Sequence, residues 1–95
     1  MPAEDGVVAL QVPDAIRVGD ELVVQVSSLA AVNMHLVVTN LASGAPRKVP
    51  AQTRGQDQVS AMSLGTLGEG AYKIEVVPTN LKLPRITDYV IAIEP

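Results

Sequence analysis

The clearest pattern of apolar and polar positions lies in residues 67–77, Leu-Gly-Glu-Gly-Ala-Tyr-Lys-Ile-Glu-Val-Val. A glycine-rich turn opens into strict alternation, with Tyr72, Ile74 and Val76 on one side and Lys73 and Glu75 on the other. Successive side chains of a strand point to opposite faces of a sheet, so a period of two marks a half-buried strand. Tyr72, Ile74 and Val76 are therefore expected to face a core, and Pro78 to close the strand.

The rest of the chain repeats this theme with different punctuation. Residues 7–12 read as a strand stopped by Pro13, which cannot donate to a ladder, so the strand lies at an edge or changes sheets there. Residues 16–18 resume it, and Gly19-Asp20 forms a tight turn. Residues 21–27 alternate, with Leu22, Val24 and Val26 inward and Glu21, Val23, Gln25 and Ser27 outward. Residues 28–33 carry a helical alternative, with Ser28 as cap and Leu29, Val32 and Leu36 at helical spacing. The β-branched run Val37-Val38-Thr39 opposes it, which leaves a loop with room for one helical turn and then a strand over residues 33–39. In that strand Met34, Leu36 and Val38 oppose Asn33, His35, Val37 and Thr39.

A turn-rich stretch leads to a short polar strand at Arg47-Lys48-Val49, ended by Pro50, and residues 51–57 show no apolar period and read as a loop. Residues 58–64 form another strand, with Ser60, Met62 and Leu64 on one side. Residues 79–86 read as a loop and residues 87–93 as the last strand, with Tyr89, Ile91 and Ile93 inward and Asp88, Val90, Ala92 and Glu94 outward. Short strands at regular spacing, separated by Gly, Pro and Asn turns and with no long helix, predict an all-β fold: a single antiparallel β-sandwich of about seven strands.

Composition narrows this picture. At 95 residues the chain is expected to form one domain, residues 1–95, and its 47% hydrophobic content suits a packed core. The absence of Trp and Phe requires that core to be built from aliphatic residues. Without cysteine there are no disulfides, thiolate metal sites or cysteine nucleophiles. A net charge of −3 gives no basis for nucleic-acid binding, which needs clustered Lys and Arg, and no apolar run approaches the ~20 residues of a membrane span. The start at Met1-Pro2 and the stop at Glu94-Pro95, just beyond an apparent strand, read as the limits of one module of a longer protein.

The motif Leu67-x-x-Gly70-x-Tyr72-x-Ile74-x-Val76 resembles the tyrosine corner of immunoglobulin-like and fibronectin type III-like sandwiches. In those folds the Tyr hydroxyl bonds a backbone group a few residues upstream. The resemblance is one of architecture and spans nearly the whole chain. It departs from antibody domains at Ile74, where they carry a disulfide cysteine, and at Met34 or Leu36, which fill the place of their tryptophan. It fits disulfide-free modules of bacterial and extracellular multidomain proteins, including macroglobulin-like and prealbumin-like sandwiches. The resemblance leaves the location open and slightly favours an extracellular or cell-envelope one.

Candidate chemistry is sparse. His35 is the only histidine and falls on an outward face. Glu4, Asp5, Asp14, Asp20, Glu21 and Asp57 sit at turns, where a sandwich can bind calcium, but their spacing is not that of an EF-hand. In Arg54-Gly55-Gln56-Asp57, Gln56 interrupts an Arg-Gly-Asp adhesive signal. Ser27, Ser28, Ser43, Ser60 and Ser63 have no nucleophile-elbow setting. Sugar binding on a flat sheet relies on exposed aromatic rings, and both tyrosines are expected inward. The feature that stands out is residues 79–86, Thr-Asn-Leu-Lys-Leu-Pro-Arg-Ile, too apolar for a simple connection. Either its leucines plug the end of the sandwich, or Leu81, Lys82, Leu83, Arg85 and Ile86 form a contact surface. The expected function is a non-catalytic spacer or docking module that meets a protein partner or neighbouring domains and needs no cofactor. The alternative is an accessory domain of an enzyme, binding calcium or a polymer.

Overall fold

A computed structural model of the chain describes residues 8–80 and 82–94. The expectations attached to Glu4, Asp5, Val7 and Leu81 lie outside the described residues. The fold is all-β, with eight strands: β1 (Ala9–Gln11), β2 (Ala15–Arg17), β3 (Glu21–Ser27), β4 (Asn33–Asn40), β5 (Pro46–Gln52), β6 (Ser60–Thr66), β7 (Gly70–Pro78) and β8 (Ile86–Ile93). They form a three-stranded sheet in the order β1-β3-β6 and a five-stranded sheet in the order β2-β8-β7-β4-β5. All pairings are antiparallel except β2 with β8, which is parallel.

One core fills the space between the sheets. Leu22, Val24 and Val26 of β3 and Leu64 of β6 meet Met34, Leu36, Val38, Tyr72, Ile74, Val76, Val90 and Ala92 from the other sheet. The alternation of β3, β4 and β7 thus sorts their side chains as the sequence pattern requires. Pro13 marks a change of sheet, since β1 pairs with β3 in one sheet and β2 with β8 in the other. Pro50 does not end β5, contrary to expectation. β5 is an edge strand, and a residue without an N–H can sit there with its vacant side away from the ladder. Two prolines, Pro46 and Pro50, also discourage further strands from adding to that edge.

Each end of the sandwich is held by a different polar arrangement. At one end Thr53, fully buried, accepts from Val32 N at 2.8 Å and donates its own N–H to Val32 O at 2.9 Å. The hydroxyls of Ser28 and Thr53 lie 2.6 Å apart, and Ser28 Oγ also bonds Ala30 O. The β5–β6 connection then lies on the β3–β4 connection, with Gln56 N donating to Leu29 O and Asp57 N to Ser28 O. Gly55 is needed at this crossing. Its φ is +83°, and a Cβ there would stand 2.9 Å from the backbone nitrogen of Ala31. At the other end Tyr72 Oη donates to Gly68 O at 2.9 Å, the upstream backbone acceptor that the motif calls for.

The largest departure from the sequence reading is β8. Val90 and Ala92 are buried, whereas Tyr89, Ile91 and Ile93 are 55%, 51% and 50% exposed, the reverse of the expected facing. Register explains it. Tyr72 lies opposite Val90 and Gly70 opposite Ala92, while Lys73 lies opposite Tyr89 and Ala71 opposite Ile91. Directly paired residues share a face, so the inward phase of β7 imposes its own phase on β8. Three smaller corrections follow from packing. Ile86 belongs to β8 rather than to the preceding loop, Ser27 is buried rather than outward, and Thr53 anchors a segment that reads as a plain polar loop.

Candidate functional site

The reversal of β8 turns the outer face of the five-stranded sheet into the most distinctive surface of the molecule. Adjacent strands stand about 4.8 Å apart and alternate residues along a strand about 6.6 Å apart, so register alone maps this face. Tyr89, Ile91 and Ile93 form a row along β8. Ala71 and Ala15 flank Ile91, Lys73 flanks Tyr89, and Arg17 flanks Ile93. Across β7 and β4, Thr39 lies beside Lys73, and Val37 separates Glu75 from Lys48. The row is rigid because β8 is paired on both sides over its C-terminal half. Beyond the regular ladder, Val18 N donates to Ile93 O at 2.8 Å and Ile91 N to Asp14 O at 3.1 Å.

The sequence-predicted contact segment is divided by the fold. Leu83 and Ile86 pack against the core as partly buried residues, which is the plug arrangement, while Lys82 is exposed. Arg85 turns towards the sheet face, where its guanidinium lies 3.8 Å from Glu75. Its side chain is 60% exposed, so this is a surface ion pair contributing no more than about 1 kcal/mol. With His35, Val37, Lys48 and Val77 the pair borders a shallow hollow on the outer face. Arg85 is thus continuous with that surface, and Leu83 and Ile86 belong to the interior side. Tyr72, Ile74 and Val76 are buried structural residues, as their alternation implies.

The arrangement offers little for catalysis. Ser28 is bound into the Thr53 network, Ser43 Oγ accepts from Ala45 N, and Ser63 Oγ accepts from Gly65 N. Ser60 Oγ is buried without a partner. No hydrogen bond joins any of these serines to His35 among the described residues. Nor, among the described residues, does any group of three His, Cys, Asp or Glu residues come together to hold a metal ion. Sequence reading missed Tyr89, Ile91 and Ile93 as surface residues because the other phase of β8 carries Asp88 beside the smaller Val90 and Ala92, and so reads as the wetter side. The available signal was the pairing with β7, whose inward phase places Val90 and Ala92 opposite Tyr72 and Gly70.

No family model, curated protein or solved structure matches the chain.

Proposed function

We propose that this protein is a non-catalytic, immunoglobulin-like docking module of a larger protein, and that it meets its protein partner or a neighbouring domain through the outer face of the five-stranded sheet. The observation that carries this reading is the row Tyr89, Ile91 and Ile93, each about half exposed on a strand paired with β7 as far as Ala92 and with β2 from Ile91 to Ile93. Single exposed apolar residues are ordinary, but three in register on one rigid strand form a contiguous patch, and such patches mark interaction sites. Tyr also combines a large apolar ring with a polar tip, which suits a surface that is wet when free and buried when bound. The hydrogen bond from Tyr72 to Gly68 supports the immunoglobulin-like assignment, since it is the bond that defines a tyrosine corner.

The test is site-specific photo-crosslinking in the full-length protein in its native cells. A benzophenone amino acid at Ile91 is expected to give a discrete protein adduct. The same group at Val23, 45% exposed on the opposite sheet, is expected to give none. Equal labelling from both positions, or none from Ile91, would remove the docking role. A second reading, polymer binding, gains one observation, because Tyr89 presents an outward ring. Broadening of the Tyr89 ring resonances on titration with a glycan panel would favour it.

A further inference from the structure

The charges of the molecule are distributed unevenly, and the apolar row lies where the cations are. Among the described residues, the strands set Arg17, Lys48 and Lys73 on the outer face of the five-stranded sheet, with Arg85 beside them, against one carboxylate within those strands, Glu75. That is a balance of +3 in a chain whose net charge is −3. The exposed carboxylates Asp14, Glu69 and Glu94 lie just outside β2, β7 and β8 and border the face without belonging to its strands. The opposite sheet shows the contrast. Its outward residues Ala9, Gln11, Glu21, Val23, Gln25, Ala61 and Ser63 include no cation.

Resting on the docking role assigned above, we infer that the partner is an acidic protein surface carrying apolar side chains. Its carboxylates would meet Arg17, Lys48 and Lys73, and its apolar groups would cover Tyr89, Ile91 and Ile93. Complementary potentials of this kind steer encounter and reject wrong partners, while the apolar centre supplies the slow dissociation. A second copy of the chain fits poorly, because face-to-face pairing would set one cationic surface against another. An anionic bilayer fits poorly as well. An interfacial anchor buries its apolar groups ~5–10 Å into the headgroup region, whereas here the row sits flush, half covered by its neighbours on a flat sheet.

The experiment uses the whole chain, labelled with ¹⁵N, and three probes. These are an acetylated dodecapeptide repeating Leu-Asp-Ser, the same peptide with Lys for Asp, and vesicles of phosphatidylcholine with phosphatidylserine. The acidic peptide is expected to shift the amides of Arg17, Ala71, Lys73 and residues 89–93, and not those of β3. Binding should weaken at least roughly tenfold between about 0.05 M and 0.5 M salt, where surface charges become screened. The variant R17E/K48E/K73E should lose the acidic peptide and gain the basic one. The variant Y89S/I91S/I93S should weaken both interactions.

Equal binding of both peptides to the native chain, or charge reversal without effect, overturns the acidic partner. If Y89S/I91S/I93S alone abolishes peptide binding in that case, the docking face itself survives. Binding to vesicles but to neither peptide overturns the inference in favour of a membrane. Dimerisation that disappears in Y89S/I91S/I93S overturns it in favour of a second copy. Circular dichroism of each variant confirms that it is folded before binding is read.

Discussion

β7 and β8 are neighbours in one sheet, both alternate, and both are paired along most of their length, yet only one declares its facing. In β7 the inward set Tyr72, Ile74 and Val76 opposes an outward set containing Lys73 and Glu75, so solvation decides the phase. In β8 the set Val90 and Ala92 also carries Asp88 at its N-terminal end, and the opposing set Tyr89, Ile91 and Ile93 is the bulkier and more apolar of the two. The bulkier set faces water because the register with β7 places Val90 opposite the inward Tyr72. The hydrophobicity of a strand's own two faces thus does not always orient it. In β8 the paired neighbour does so, and the surplus apolar residues reach the surface.

The contrast can be broken most directly with two isoleucines. Ile74→Ala on β7 removes a fully buried side chain and should cost about 2–5 kcal/mol in denaturant unfolding. Ile91→Ala on β8 removes the same atoms from a half-exposed position and should stay within about 1 kcal/mol, the range of strand-propensity effects. Comparable losses from the two would mean that Ile91 is covered by the fold and that β8 faces the other way.

That pair of residues also shows how far the chain could be read in advance. The inward sets of β3, β4 and β7 were legible because charged or polar residues alternate with them. So was the sheet change at Pro13, because a proline without an N–H cannot continue a ladder. The Ser28–Thr53 network was not legible, since two small hydroxyl residues twenty-five positions apart carry no local sign of meeting. Nor was the outer face of the five-stranded sheet. Its members come from β2, β4, β5, β7 and β8, and their juxtaposition exists only after pairing. Arg85 was singled out for its place in an apolar segment, but the surface it joins was hidden by the phase of β8.

A finer test compares the two sets within β8. Val90→Ala deletes buried methyl groups and should cost about 1–3 kcal/mol, more than Ile91→Ala although fewer atoms are removed. The inverse order, measured under one denaturant protocol, would contradict the pairing of Tyr72 with Val90.

The smallest expected effects come from the two tyrosines. Tyr72→Phe keeps the ring and deletes the bond to Gly68 together with the longer one from Asn40 Nδ2, for a loss of about 0.5–1.5 kcal/mol. Tyr89→Phe should change stability by less than about 0.5 kcal/mol, because its hydroxyl belongs to a half-exposed side chain. A loss from Tyr89→Phe equal to that from Tyr72→Phe would show that Tyr89 also anchors the fold.

The parallel pairing of β2 with β8 has a mechanical consequence. Ala15 lies opposite Ile91 and Arg17 opposite Ile93, so tension between the start of β2 and the end of β8 pulls the two parallel strands along their length in opposite directions. The bonds of Val18 to Ile93, of Ile91 to Asp14 and of the ladder between them are then strained together, instead of opening one after another as in a peeled hairpin. Forced unfolding is governed by the height of the unfolding barrier, and shear across this short clasp is where that barrier would lie. The three residues of β2 thus make up the short ladder that such a load would shear.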